Sequence, residues 1–349
     1  MASWRAAKSL IAAFGVSVFV AGSLAAQQLR FASLGDFRLE SGQVIENLKL
    51  GYRTLGQLNS QKSNAVLFPT WFSGTTKDQL DLIGPGKLVD PSKYYVILVD
   101  ALGDGVSSSA SNSKLQPRMR FPKFTIRDMV NSQHALLTRV LGISHLHAVI
   151  GISMGGMQTF QWMVAYPSFM DEAIPIVGSP RLTSYDLLLW TAELHAIESD
   201  RNWNHGDYTS PPAAGMATVA DIHSMNLTTP AYRVTHTSRA EFPKFLNDTQ
   251  KMMMKQFDAN NWIRQLQAMM ADDVSKPFGG SMAKAASVVR ARVLIIPALQ
   301  DHMVNPKPAL AFAKLIHAQT FPLDSDCGHL SFNCEANQID KVVAKFLEQ

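Results

Sequence analysis

The chain has 349 residues, 46% hydrophobic and 17% charged, with 21 Gly and 17 Pro. This composition excludes disordered, collagenous and disulfide-stapled classes, and the length allows one large α/β domain with an insertion, or two domains. The 32 basic residues exceed the 28 acidic ones by four and form no Lys/Arg block, so the charge leaves no nucleic-acid footprint.

The N-terminus reads as an export leader. Arg5 and Lys8 supply a positive start, Leu10 to Gly22 an apolar run, and Ser23-Leu24-Ala25-Ala26 small residues for cleavage near Ala25 or Ala26. The apolar run is roughly a dozen residues, short of the about 20 that span a bilayer, so the expectation is a removed signal peptide (1–26) and no membrane span afterwards. Loss of Arg5 and Lys8 leaves 30 basic against 28 acidic residues and a nearly neutral mature protein. The implied location is periplasmic or secreted.

After the leader, Phe37 to Tyr52 alternates apolar and polar residues around Ser41-Gly42 and predicts an antiparallel hairpin. Short β-rich runs follow at Ala65–Phe68, Tyr94–Val99, Leu146–Ile150, Ala173–Val177, Val293–Ala298 and Thr320–Leu323. Helical spacing fills Ile126–Leu141, and Met154–Tyr166 is helical until Pro167 stops it. The βαβα rhythm predicts an α/β fold with a mostly parallel sheet. From Leu182 to Ala286 the strand signal disappears and helical segments with Trp190, Trp203, Trp262 and many Met take over. The expected organisation is a core of 27–181 and 287–349 with a helical cap inserted at 182–286.

Gly151-Ile152-Ser153-Met154-Gly155 fits G-x-S-x-G directly after one predicted strand and directly before a helix, the setting of a nucleophile elbow in the α/β-hydrolase fold. Glycines flank the serine because a strand turning sharply into a helix leaves no room there for side chains. The same turn puts the backbone N–H of Met154 at a helix N-terminus, where it can donate to a developing oxyanion. In this fold an acid and then a histidine follow on loops after later strands. Asp301 ends the strand Val293–Ala298 and His329 follows Thr320–Leu323, which makes them the candidate acid and base. His302, His317 and His145 stand as alternative bases, and Asp324 and Asp326 as alternative acids.

Cys327 and Cys334 bracket His329 and, in an exported protein, form a natural disulfide pair; two buried thiols are the alternative. The ten His show no H-E-x-x-H spacing and two Cys cannot make a thiolate zinc site, so no metal and no cofactor is expected.

Taken together these residues resemble the homoserine O-acetyltransferase group of the α/β-hydrolases over most of the mature chain. The resemblance is carried by Gly51 to Gly56 with Asn59, Lys62 to Leu67, Leu82 to Lys87, Thr125 to Val130, Gly151 to Met157 and Phe257 to Asn260. It implies an acyl-enzyme on Ser153 completed by Asp301 and His329. It further implies an oxyanion donor in Thr70-Trp71-Phe72-Ser73-Gly74, where the family usually reads H-A-L-T-G: the N–H of Phe72, with Trp71 as the alternative. A homodimer formed through the cap is also implied.

Three departures bear on the substrate. The family usually places Asp after the catalytic His, to recognise the homoserine amino group, and here that residue is Leu330. The segment that usually supplies an Arg for the carboxylate aligns with Gly215 to Asn226 and contains none. The family's glycine-rich stretch is only partly matched by Leu102 to Ser109. Zwitterion recognition needs opposite charges at both ends of the ligand, so homoserine is disfavoured, and so is an acyl-CoA donor in an exported protein. The reading is an exported serine ester hydrolase or acyltransferase for a small-molecule ester or acyl donor. The alternatives are an acetyl-CoA-dependent homoserine O-acetyltransferase and a non-catalytic binding protein on the same scaffold.

Overall fold

A computed structural model describes residues 28–349; the segment 1–26, expected to be a leader, lies outside the described residues. Eight strands form one sheet in the order β1-β2-β4-β3-β5-β6-β7-β8. They are β1 (Arg30–Arg38), β2 (Val44–Leu55), β3 (Ala65–Pro69), β4 (Tyr95–Val99), β5 (Leu146–Ile152), β6 (Met170–Ile176), β7 (Arg292–Ile295) and β8 (Gln319–Thr320). β1 and β2 form the antiparallel hairpin, β2 joins β4 antiparallel, and every other pairing is parallel.

The central strands are buried on both faces, which is why their sequences run almost continuously apolar. Alternate residues serve opposite cores. Ala65 and Leu67 join one apolar cluster while Val66 and Phe68 join the other. The first cluster takes in helix α1 (Ile126–Ala135) and helix α2 (Met154–Ala165), with Trp162 and Phe160 fully buried. A capping box closes the start of α1, Thr125 accepting from the Asp128 N–H and the Asp128 side chain accepting from the Thr125 N–H.

Three expected elements are shorter than their apolar runs. The run to Leu141 leaves the α-helix at Ala135 and continues as a π-turn over Leu136–Val140. There the Thr138 hydroxyl donates to the carbonyl of His134, an acceptor that the α-ladder would otherwise use. β7 and β8 end early because Pro297 and Pro322 lack the N–H a ladder needs; pairing continues as the isolated bridges of Ile176 to Ile296 and of Ala298 to Leu323.

Between β6 and β7 lie helices α3 (Ser184–Glu198), α4 (Ala213–Leu227), α5 (Pro230–His236), α6 (Phe242–Gln256), α7 (Ala259–Met270) and α8 (Met282–Ser287). After β7 come α9 (Lys307–Leu315) and α10 (Ala336–Leu347). The last helix buries Ile339, Val343, Phe346 and Leu347 on the second face of the sheet, at about 1.5–3 kcal/mol per fully buried side chain. Among the described residues no helix is long and apolar enough to cross a membrane.

Candidate active site

Ser153 sits where β5 gives way to α2, with φ 57° and ψ −120°, a backbone conformation that costs a non-glycine residue about 1–3 kcal/mol. The turn is locked by the Ser153 N–H donating to Ile176 O (2.9 Å) and by Met157 N–H donating to Ser153 O (2.9 Å). The flanking glycines are obligatory. A Cβ on Gly151 would stand 2.0 Å from the carbonyl oxygen of Gly155, and one on Gly155 would stand 2.7 Å from that of Pro69.

His329 arrives from the far end of the chain, on a short 3-10 turn spanning Gly328–Leu330. Its Nε2 lies 2.8 Å from Ser153 Oγ and its Nδ1 lies 2.7 Å from Asp301 Oδ2. The other carboxylate oxygen of Asp301 accepts from the N–H groups of Met303 (2.7 Å) and Val304 (2.9 Å). Both side chains are almost wholly buried. The rivals lie elsewhere: His145 pairs with Asp171, His317 is exposed, and Asp324 accepts from Gln300.

The turn that carries His329 is held from three sides. Gly328 has φ +61°, a left-handed conformation suited to glycine, and packs against Thr228. Thr229, between α4 and α5, donates through both its N–H and hydroxyl to Asp326 O. A disulfide joins Cys327 to Cys334, with Cα atoms 6.6 Å apart. On the Asp301 side, the buried carboxylate of Asp186 caps α3 and accepts from Asn305 N–H (3.0 Å), fastening the insertion to the loop after β7. Burial pushes the Asp186 carboxyl upward.

Thr70 to Gly74 follow β3 beside the serine. The Gln265 side chain on α7 accepts from Ser73 N–H (2.8 Å) and donates to Leu102 O (2.9 Å), while Gln158 on α2 donates to Thr70 O (3.0 Å). The backbone N–H groups of Trp71, Phe72 and Met154 meet no acceptor among the described residues. α7 is anchored by Arg264, which donates to the carbonyls of Phe121 and Met119; burial pushes its guanidinium down to about 10.

Ser153 and His329 open on a cavity of about 180 Å³. Its walls include Trp71, Phe72, Trp190, Met269, Leu330 and Phe332, and among the described residues no Lys, Arg, Asp or Glu side chain lines it. Sequence reading singled out Leu330 and the Trp- and Met-rich insertion but missed Gln265 and a second histidine on the wall, His223. Nothing in their spacing announces them, because each is placed by helix packing between segments distant in sequence. Among the described residues no three His, Cys, Asp or Glu side chains are grouped to hold a metal ion.

A serine hydroxyl bonded to an imidazole whose other nitrogen is held by a carboxylate can lose its proton as it attacks a carbonyl carbon. That chemistry defines a class of hydrolases and acyl-transfer enzymes. Residues 83–333 match the α/β hydrolase fold family, and the chain belongs to that family, in its homoserine O-acetyltransferase-like group. It is 35% identical to an ethyl acetate hydrolase of Pseudomonas veronii over 90% of this chain and 93% of that protein. It is 30% identical to a homoserine O-acetyltransferase of Methanococcoides burtonii over 90% of this chain and 72% of that one. Among solved structures the acetyl esterase MekB superposes with a TM-score of 0.88 at 33% identity, covering 93% of this chain and 98% of its own. The chain is an enzyme of the hydrolase and acyltransferase class.

Proposed function

We propose that the protein is an exported serine esterase that hydrolyses small neutral esters through an acyl-enzyme on Ser153. The observation that carries this reading is the Ser153–His329–Asp301 array, with contacts of 2.8 and 2.7 Å, opening on a cavity without charged walls. Ser153 Oγ attacks the ester carbonyl as its proton passes to His329 Nε2, and Asp301 holds the Nδ1–H and steadies the imidazolium. The N–H groups of Met154 and Phe72 receive the oxyanion, and a backbone donor tolerates the altered side chain at Phe72. Nε2 then returns the proton to the departing alcohol. Water enters, gives a proton to Nε2 and attacks the acyl carbon, and the free acid leaves as Ser153 recovers its hydrogen.

Hydrolysis of short esters is favoured over acetylation of homoserine. A zwitterion would leave both its charges unpaired against Leu330 and the aromatic walls, and α4 carries no Arg for the carboxylate. The likeness to an ethyl acetate hydrolase and an acetyl esterase points the same way. The division into a core of 27–181 and 287–349 and a cap of 182–286 belongs to this proposal, the cap supplying the far wall of the cavity. So does export, which N-terminal sequencing of the mature protein tests: the chain should begin just after Ala25 or Ala26. The deciding assay compares ethyl acetate hydrolysis with CoA release from acetyl-CoA in the presence of L-homoserine. Ester hydrolysis with no homoserine-dependent CoA release supports the proposal, and the opposite pattern makes the enzyme a homoserine O-acetyltransferase.

A further inference from the structure

The same cavity is lined by a second histidine, His223, paired with a buried carboxylate behind the wall that the reaction does not use. His223 on α4 places Nδ1 3.0 Å from Oε1 of Glu193 on α3, and Glu193 Oε2 accepts from Trp262 Nε1 on α7 (3.1 Å). Glu193 is fully buried, and no Lys or Arg pairs with it; an imidazole and an indole N–H are its partners. Such an arrangement is costly to build. A buried carboxylate is tolerated only when its acceptors are satisfied, so three cap helices converge to keep this one. The ring of His223 packs against Phe72, Trp190 and Trp262, with centroids 5.2–6.2 Å away.

The consequence is a fixed polar atom in an apolar pocket. With the Nδ1–H given to the carboxylate, the tautomer that matches this contact presents Nε2 to the cavity as an acceptor. Nε2 has no hydrogen-bond partner among the described residues, and the side chain keeps 15% of its surface exposed where it lines the cavity. Resting on the esterase reading above, we infer that His223 is a specificity residue: its Nε2 accepts a hydrogen bond from a hydroxyl on the substrate, so the preferred substrates are acetyl esters of diols or polyols. Glu193 acts through His223 as a positioning residue, fixing which nitrogen faces the ligand.

The test uses three near-isosteric esters with the full-length mature enzyme: 2-hydroxyethyl acetate, 2-methoxyethyl acetate and propyl acetate. Wild type should favour the hydroxy ester over propyl acetate by about tenfold or more in kcat/KM, with the methoxy ester no better than propyl, because only a hydroxyl can donate. His223→Asn retains an amide donor for Glu193 but lacks the atom at the Nε2 position, and its hydroxyethyl-to-propyl ratio should collapse towards one. His223→Phe should show the same ratio; if the orphaned Glu193 prevents it from folding, the asparagine variant still decides. Equal kcat/KM for the hydroxy and propyl esters in wild type, or an unchanged ratio in His223→Asn, overturns the inference. Preference for the methoxy ester also overturns it, because the ring would then be a donor. Turnover of none of the three esters and no acylation of Ser153 would instead overturn the esterase reading itself.

Discussion

Replacing Gln265 with Leu tests whether the segment Thr70 to Gly74 is held in place for catalysis by a helix of the cap. The glutamine is buried and makes two bonds, one from Ser73 N–H at 2.8 Å and one to Leu102 O at 2.9 Å. Leucine fills nearly the same volume but leaves the buried Leu102 carbonyl without this donor, and it frees the half-buried Ser73 N–H, so stability should fall by roughly 1–3 kcal/mol. Ser73 is the residue after Phe72, and freeing its N–H lets the proposed oxyanion donor drift. Losing one such donor typically costs about 10²- to 10³-fold in kcat. The assay is initial-rate hydrolysis of ethyl acetate, run well below the melting temperature of the variant, beside a denaturant melt. Gln265→Glu keeps the acceptor for Ser73 while losing the donor to Leu102, so it should recover more of kcat than Leu does. A Gln265→Leu enzyme with wild-type kcat would refute the reasoning, however much stability it had lost.

Asp301→Asn should reduce kcat by about 10³- to 10⁴-fold with little change in KM, because the amide no longer holds His329 in the tautomer that accepts the serine proton; steady-state kinetics at several pH values check this. Reduction of Cys327–Cys334 opens a loop of seven-residue separation around His329, worth about 2 kcal/mol in chain entropy. Both melting temperature and ester hydrolysis should fall with reductant, and no change in either removes the functional role of the bond. Asp272 is buried, with Oδ2 unpartnered among the described residues, and burial together with Asp273 raises its carboxyl well above the ordinary 3.8. A raised folded-state value means the folded protein keeps a proton that the unfolded chain releases. Its contribution to stability is therefore present below about pH 3.8 and is lost as pH rises towards the folded value. Asp272→Asn should be more stable than wild type at pH 7 in urea melts, and the advantage should disappear near pH 4.

Much of the sheet was legible because buried parallel strands leave short, uninterrupted β-rich runs, and the elbow because two glycines there answer a local steric demand at Ser153. Asp301 and His329 could be nominated since each follows a strand in the order the fold requires, although the rivals nearby in sequence could be set aside only in space. The early ends of β7 and β8 were also open to inspection, in Pro297 and Pro322, yet the apolar runs around them masked the missing donors. The π-turn after Ala135 is a change of backbone pitch that periodicity does not register, because the apolar spacing runs on through Leu136 and Leu137. His223, Glu193 and Gln265 lie beyond sequence reading altogether. His223 and Glu193 meet only because α3, α4 and α7 pack together, Gln265 reaches Ser73 and Leu102 from α7, and such contacts between segments distant in sequence leave no repeating pattern in the chain.

The most direct measurement for the central claim is intact-mass analysis of the enzyme during turnover of a slowly deacylating acetyl ester, with peptide mapping of the adduct and Ser153→Ala as control. A single acetyl group on the peptide containing Ser153, absent in the control and lost as free acetate appears, is the predicted result. Undiminished ester hydrolysis by Ser153→Ala, or an adduct that maps to another residue, would contradict the account.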